Sequence, residues 1–391
     1  MQTRFLLLGL VSLGISFAAC TSEVPLGEGS EARSQGPGGE GQPPLGSGAC
    51  NPGLSECRGR CTAAPCSGPD GGPATPDRSK PDAAPRPAPQ VLAQDRNGAN
   101  GIVVDSTSIY WTETGVLQVN APGKGSVLKM PLAGGAPVTI AANEDGPSGI
   151  AVDATAVYFT NVGHSTNTVP SGGSVKKVPR AGGQPPTVID ADTANAGQIG
   201  LDGAYVYYVS NGHTITPPTG KIGLFRAPII GGAPEQLTTF AGFVSHHVAI
   251  NANNLVWASP NVIRTDLLGQ YAGSTPLLWS SGDAQDVAID GTHAYFTTSS
   301  GTLLSVALTG GPATELSNGS PGSGKGIAID ATHAYWIACV PATGVCSVQR
   351  VLLTGGATET IASSQALASY LALDSGFVYW TTRDAILRAP K

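Results

Sequence analysis

The fold of this 391-residue chain is decided by a stretch that reads GIAVDATAVYFT at residues 149–160 and that recurs, with changes, along the chain. Each copy has an acidic or amide anchor followed by an aromatic pair, except that Val256 replaces the first aromatic residue in the fourth copy. The anchors are Asp105, Asp153, Asp202, Asn251, Asp290, Asp330 and Asp374, spaced by 48, 49, 49, 39, 40 and 44 residues. The sixth residue after every anchor is aromatic, so the chain is built from repeats.

The repeat length predicts the architecture, because units of about 40–50 residues with four short strands are typical of β-propellers. Each anchor would end the innermost strand and accept backbone N–H groups of the following turn. Gly-Gly pairs such as Gly134-Gly135 suit the positive φ angles of a two-residue hairpin turn. We therefore predict an all-β fold, a seven-bladed β-propeller of four-stranded antiparallel blades.

The two ends of the repeat region predict how the ring closes. Blade seven reaches Lys391 without a fourth strand, whereas residues 88–93 (APQVLA) resemble the fourth strand at residues 136–141 (APVTIA). We expect the N-terminal segment to complete blade seven, which removes exposed sheet edges. The propeller would then span residues 89–391.

Residues 1–19 have the pattern of an export signal, with Arg4, an apolar run and small residues before Cys20. Ala18-Ala19-Cys20 resembles the lipobox of bacterial lipoproteins, which implies a lipid on Cys20 and, with Thr21, anchoring to the outer membrane or cell surface. Phe17 stands where that motif usually has Leu, so an ordinary secretory signal is the alternative.

Residues 20–88 are rich in Gly, Pro, Ser and Ala, a composition that predicts a disordered tether. Its Cys-rich insert at residues 50–61 is similar to short segments of exported myxobacterial proteins. Export favours disulfides, and the C-x6-C-x3-C-x4-C spacing lacks the paired knuckles of zinc ribbons. We predict two disulfides in the tether and one in the body; the cysteines involved are Cys50, Cys57, Cys61 and Cys66, then Cys339 and Cys346.

The body resembles YWTD-type propellers of lipoprotein-receptor-like proteins and, more loosely, NHL-type propellers. The resemblance rests on residues 109–112 (IYWT), residues 378–381 (VYWT) and third strands such as residues 387–390 (LRAP). It implies six or seven blades and a role in binding other proteins. The last Asp of the motif is missing, so the resemblance does not extend to particular ligands.

Binding is predicted on the face that holds the second-to-third and fourth-to-first connections, here called the long-loop face, because its loops vary in length. These loops span residues 113–125, 161–172 and 210–221, together with the segment between the body cysteines. The channel mouth on this face should be lined by the residues just before each inner strand, Asn100, Ser148, Gly197, His246, Gln285, Lys325 and Ser369. Our candidate binding residues are His246, His247, Asp286, Lys325, Gln285, Gln198 and Tyr370; the alternative is a solvated pore rim.

The net charge of −6 and the lack of a basic block argue against nucleic-acid binding. No catalytic motif, cofactor site or metal site is predicted. The first hypothesis is a monomeric envelope module that binds protein, peptide or glycan and touches the membrane only through its N-terminal lipid. The second is a channel enzyme similar to virginiamycin-lyase-like or gluconolactonase-like propellers, with a divalent cation near His246, His247 and Asp286. The third is a purely structural surface protein.

Overall fold

The computed structural model describes residues 55–57, 60–62, 86–115, 124–164, 173–191, 193, 195–211, 221–238, 247–259, 262–267, 277–280, 284–317 and 323–391. The chain divides into two compact units, Met1–Ala83 and Ala84–Lys391. In the first unit, β1 (Ser55–Cys57) pairs antiparallel with β2 (Arg60–Thr62), a strand pair that the predicted tether did not include. The export signal, Cys20 and the side chains of the four tether cysteines lie outside the described part, as do the predicted long loops at their centres.

The second unit contains four-stranded antiparallel sheets, seven of them within the described residues, which contain no helix. This confirms the predicted propeller of four-stranded blades. Blades one to three are β4 (Ala99–Val104), β5 (Ser108–Glu113), β6 (Gly125–Pro131) and β7 (Val138–Glu144); β8 (Pro147–Val152), β9 (Ala156–Asn161), β10 (Ser174–Pro179) and β11 (Thr187–Ala191); and β12 (Ile199–Leu201), β13 (Tyr205–Asn211), β14 (Ile222–Pro228) and β15 (Glu235–Thr238).

The remaining blades follow the same order. They are β16 (Val248–Ile250), β17 (Asn254–Ser259), β18 (Val262–Leu267) and β19 (Leu277–Trp279); β20 (Ala284–Ile289), β21 (His293–Thr298), β22 (Leu303–Ala307) and β23 (Thr314–Ser317); β24 (Ser323–Ile329), β25 (His333–Val340), β26 (Val345–Leu352) and β27 (Glu359–Ala366); and β28 (Leu371–Leu373), β29 (Phe377–Thr382), β30 (Ala385–Pro390) and β3 (Gln90–Ala93). Each inner strand contacts the inner strand of the next blade, from β4 through β28 and back to β4.

The aromatic pair of each repeat builds the cores between blades. Successive strand residues point to opposite faces of the sheet, so the two rings enter different cores. Tyr158 packs in the core shared with blade three, and Phe159 packs in the core shared with blade one. Tyr379 and Trp380 divide in the same way between blades one and six. The repeated pair therefore joins every sheet to both of its neighbours.

The N-terminal strand closes the ring, as predicted. In β3, Gln90 lies opposite Arg388, and Val91 lies opposite Leu387 of β30. The side chains also meet, since Arg388 Nε donates to Gln90 Oε1 at 2.9 Å. Ala93 is buried in the core between blades seven and one. The last blade is thus formed by both ends of the propeller unit.

The anchors perform the predicted structural role. Asp153 Oδ1 accepts the backbone N–H groups of Thr155 at 2.6 Å and Ala156 at 2.7 Å, and Tyr158 donates its hydroxyl to Oδ2 at 2.7 Å. Blade four replaces the Asp–Tyr pair with Asn251 and Val256, and Asn251 still accepts two backbone N–H groups. In blade four the tyrosine and the carboxylate are thus both replaced, as expected if the two side chains act as a structural pair.

Acid should weaken these turns, and Asp290 provides the test. Partial burial alone would raise its pKa, but the N–H groups of Thr292 and His293 and the Tyr295 hydroxyl outweigh it, so the pKa lies below the usual value. Because the folded state binds the ionised carboxylate more favourably, ionised Asp290 stabilises the fold at pH values above the unfolded-state pKa of about 3.9. This stabilisation is lost as the pH falls through the lower folded-state pKa. We expect Asp290→Asn to cost about 1 kcal/mol at neutral pH and progressively less below about pH 4, measured by urea unfolding. Asn251→Ala, which removes an uncharged anchor, should show no such acid-dependent convergence with the wild type.

The Gly-Gly prediction was right about φ and wrong about the turn. Gly134 and Gly135 have φ of 91° and 132°. The connection is longer than two residues, however, because β6 ends at Pro131 and β7 begins at Val138. Gly134 donates its N–H to Pro131 O at 2.9 Å, so a β-turn comes first and the glycines redirect the chain after it.

Buried threonines on the second strands of blades one and two tie each of these blades to the start of the next inner strand. Thr112 Oγ1 donates to Ser148 O at 2.7 Å, and Thr160 Oγ1 donates to Gly197 O at 2.8 Å. Inner strands approach closely at these points, since a Cβ on Gly149 would lie 2.2 Å from Gly197 O. These contacts fix the starts of the inner strands, which carry the candidate site.

Candidate functional site

The candidate residues surround the channel, but several sit differently from the prediction. Asn100, Ser148, Gln285 and Lys325 lie inside inner strands and not before them. Each lies at or beside an irregularity in the strand pairing. A bulge leaves a residue outside the ladder and redirects side chains, which accounts for their place at the channel. Gln198, His247, Ser369 and Tyr370 precede their inner strands as predicted, whereas His246 lies outside the described residues.

All seven blades contribute to one polar network across the channel, which we call the polar plug. Its side chains are Asn100, Ser148, Gln198, His247, Asp286 and Tyr370, from blades one, two, three, four, five and seven. Blade six contributes the backbone N–H of Ile327, which donates to Asp286 Oδ2 at 3.0 Å. Contacts of this kind between distant parts of the chain exist only once the ring has closed.

Tyr370 spans the centre of the polar plug. Its ring stacks on His247 of blade four, with centroids 5.7 Å apart and planes inclined by 29°. Its phenol interacts with the side chains of Gln198 and Ser148 on the other side of the channel. The pKa of Tyr370 is raised to about 12, chiefly by burial and then by the charge of Asp286, while the hydrogen bonds with Gln198 and Ser148 act in the opposite direction. The phenol therefore stays neutral at physiological pH.

Asp286 holds the charge of the polar plug and is almost fully enclosed. His247 Nδ1 lies 2.6 Å from Asp286 Oδ1, and the carboxylate also accepts the N–H groups of Val287 and Ile327. An ionised carboxylate only accepts hydrogen bonds, so Nδ1 of His247 carries the proton. Three donors of the protein therefore hold the Asp286 carboxylate in place.

A pocket opens on the polar plug from the long-loop face. Its volume is about 220 Å³, smaller than the roughly 300–1,000 Å³ of pockets that take drug-sized ligands. The lining residues are Asn100, His247, Gln285, Asp286, Gly324, Lys325, Gly326, Ser369 and Tyr370. A second cavity of about 120 Å³ shares His247, Asp286, Gly326 and Tyr370 with it and adds Gln198. The structure thus brings together every described member of the predicted binding set.

The same face carries an apolar patch that the sequence analysis missed. It consists of Val340, Val345 and Leu367, which are 39%, 42% and 50% exposed. Val340 pairs with Val345 across the β25–β26 hairpin, and Leu367 donates its N–H to Gly344 O at that hairpin's tip. The disulfide between Cys339 and Cys346, predicted from the sequence, joins the two strands at the base of the patch. The valines that flank these cysteines were the available signal.

Metal ligands do not gather in the described part of the chain. No three His, Cys, Asp or Glu side chains lie close enough there to hold an ion. The other notable histidines have structural partners: His293 and His333 repeat one turn contact with the preceding threonine, and His164 pairs with Asp145. No described helix has the length and apolar character to cross a bilayer.

No family model matches the chain, and no curated protein sequence shows significant similarity to it. Solved propellers match its fold. The WD40 propeller domain of Doa1 is 12% identical over 77% of this chain and 96% of its own, with a TM-score of 0.58. YCF48 bound to D1 peptide is 11% identical over 79% and 96%, with a TM-score of 0.53, and the designed Ika8 protein is 12% identical over 77% and 98%, with a TM-score of 0.50. Together with the sheet topology, these similarities show that the body of this chain is a β-propeller.

Proposed function

We propose that the propeller is a binding module for a protein or peptide and that the long-loop face makes the contact. The observation that carries the proposal is the apolar patch of Val340, Val345 and Leu367, which lies on the same face as a polar pocket. Clustered exposed apolar residues within a polar surface mark interaction sites more often than single ones do. The Cys339–Cys346 disulfide limits the freedom of the hairpin, so less conformational entropy is lost on binding.

The closed channel supports the same role. Tyr370, His247 and their partners fill the centre of the ring, so a ligand approaching from the long-loop face meets a floor. A shallow pocket with a rigid floor suits one projecting group of a larger ligand. YCF48, which shares the fold, has been solved with a bound peptide. A peptide ligand is the corresponding proposal for this chain.

The envelope setting is part of the proposal. Export through residues 1–19 and lipid on Cys20 would hold the module at the outer membrane or cell surface. Metabolic labelling with a fatty acid should mark the wild-type chain and leave Cys20→Ser unlabelled. Equal labelling of both chains would contradict lipidation at Cys20.

Site-specific photo-crosslinking tests the binding face. A photoreactive amino acid at Leu367 probes the long-loop face, and the same residue at Ile230, which is 91% exposed in a third-to-fourth connection, probes the opposite face. With the mature full chain in envelope extracts, we expect a discrete crosslinked partner from position 367 and none from position 230. Equal crosslinking from both positions, or from position 230 alone, would exclude the long-loop face.

A metal-dependent lyase or hydrolase in the channel is the second candidate. The oriented His247–Asp286 pair at a pocket favours it, because such a pair can act as a general base. Metal analysis of the purified chain separates the two proposals. Stoichiometric divalent metal that is lost in His246→Ala or His247→Ala would favour the enzyme, whereas unchanged metal content in these variants would favour the binding module.

A further inference from the structure

We propose that the 220 Å³ pocket above the polar plug binds a carboxylate group, supplied by an acidic side chain or a free C-terminus of the ligand. This inference rests on the proposed peptide-binding function and names the chemistry of its recognition. It follows from the exposed ammonium group of Lys325, the buried and hydrogen-bonded carboxylate of Asp286, and the small volume of the pocket.

The negatively charged group of the pocket, the Asp286 carboxylate, is buried and hydrogen-bonded. Both oxygens of Asp286 are occupied, Oδ1 by His247 Nδ1 at 2.6 Å and Val287 N–H at 2.8 Å, and Oδ2 by Ile327 N–H at 3.0 Å. The side chain of Asp286 is only 8% exposed. Three of its four lone-pair positions are thus taken by donors of the protein, so the carboxylate chiefly serves the fold.

The positive charge of the pocket is available. Lys325 lines the pocket, is exposed, and takes part in none of the ion pairs formed by the described residues. An ammonium group at a concave site is a point charge that pairs readily with an anion. The lysine therefore gives the opening a preference for negative groups.

Uncharged donors line the same pocket as the lysine. Asn100 has two amide N–H donors, and the Ser148 hydroxyl lies 3.4 Å from the nitrogen, which leaves one donor for a ligand. Ser369 also lines the pocket. A carboxylate has four lone-pair positions and can accept from several such donors at once.

Other ligand classes fit less well. Sugar binding generally uses an open aromatic face, but His247 covers one face of the Tyr370 ring, and the described lining has no other phenol or indole. A divalent cation would meet the positive charge of Lys325 and a carboxylate that already accepts hydrogen bonds from three donors of the protein. The pocket volume of about 220 Å³ is below that of sites for drug-sized ligands, so the pocket suits a single side chain or terminal group. One carboxylate-bearing side chain matches this size.

Three small probes test the inference with the mature full chain. N-acetyl-glutamate α-amide presents a side-chain carboxylate, N-acetyl-glutamine with a free α-carboxylate presents a C-terminal one, and N-acetyl-glutamine α-amide is neutral and of matched size. Binding is measured by ligand-observed NMR titration. We expect at least one carboxylate probe to bind with a Kd about tenfold or more below that of the neutral probe. Which acid binds more tightly identifies the source of the carboxylate.

Matched variants assign the effect to the lysine. Lys325→Ala should weaken the carboxylate probe about tenfold to a hundredfold, and Lys325→Arg should retain most of the affinity. Lys124→Ala, which removes an exposed lysine outside the pocket lining, should leave the Kd of the carboxylate probe unchanged. The carboxylate site would be overturned if the acid and neutral probes bound equally, if no probe bound, or if Lys325→Ala kept full affinity. Crosslinking from Leu367 reports separately on the binding face, so the two proposals can fail independently.

Discussion

Deleting residues 90–94 should destabilise the propeller by at least about 4 kcal/mol, because the deletion removes the fourth strand of blade seven. Leu387 and Ile386 of β30 would lose their strand partner, and the core between blades seven and one would lose Ala93 and the cover of Leu92. The outer side of β30 would also become an unpaired sheet edge. Thermal and urea unfolding of the full mature chain should show a large fall in both midpoints.

A deletion of equal length at residues 70–74, upstream of β3, is the control and should leave the midpoints unchanged. Two point variants on the same strand provide a finer test. Ala93 is 8% exposed and Val91 is 50% exposed, so Ala93→Asp should cost about 3 kcal/mol or more and Val91→Asp less than about 0.5 kcal/mol. An unchanged midpoint after deletion of residues 90–94 would contradict closure by β3.

Asp286→Ala should be the most damaging single change in the channel, with a loss of about 3–5 kcal/mol. The variant leaves His247 and the N–H groups of Val287 and Ile327 without their acceptor. It also removes a negative charge near Tyr370, so the pKa of that phenol should fall from about 12. Denaturant unfolding measures the stability, and an NMR pH titration of Tyr370 measures the pKa.

Lys325→Ala provides the matched control for this prediction. Lys325 lines the same pocket but is exposed, so its removal should change stability by less than about 0.5 kcal/mol. Asp286→Asn keeps the shape and one acceptor, so its cost should be intermediate, with the same direction of change in the pKa of Tyr370. A stable Asp286→Ala variant with an unshifted Tyr370 would show that the polar plug does not depend on this carboxylate.

The repeated features could be predicted because they depend on local chemistry. An anchor such as Asp153 and its partner Tyr158 are five residues apart, and they form the same turn in most blades. Paired aromatics on a strand must face opposite sides of the sheet, so Tyr158 and Phe159 predict two cores. The Gly-Gly prediction failed in part because positive φ limits the residue type without fixing the number of residues in the turn.

The candidate site was predicted as a set of positions but not as a set of interactions. Sequence placed His247, Asp286 and Tyr370 at the channel mouth because each lies at the start of an inner strand. It offered no reason for Tyr370 to meet Ser148, which lies in blade two. The apolar patch was missed for a similar reason, since Leu367 joins Val340 and Val345 only through the packing of β27 on β26.

The sequence by itself determined the repeat, the sheet architecture, the closing strand and the disulfide of the body, because each depends on short periods or on matching segments. Only the tertiary structure decided which side chains share the channel, that Asp286 is buried while Lys325 is exposed, and that an apolar patch lies on the long-loop face. The physical reason is that residues 40 or more positions apart are brought into contact by closure of the ring, and no local pattern along the chain records those contacts.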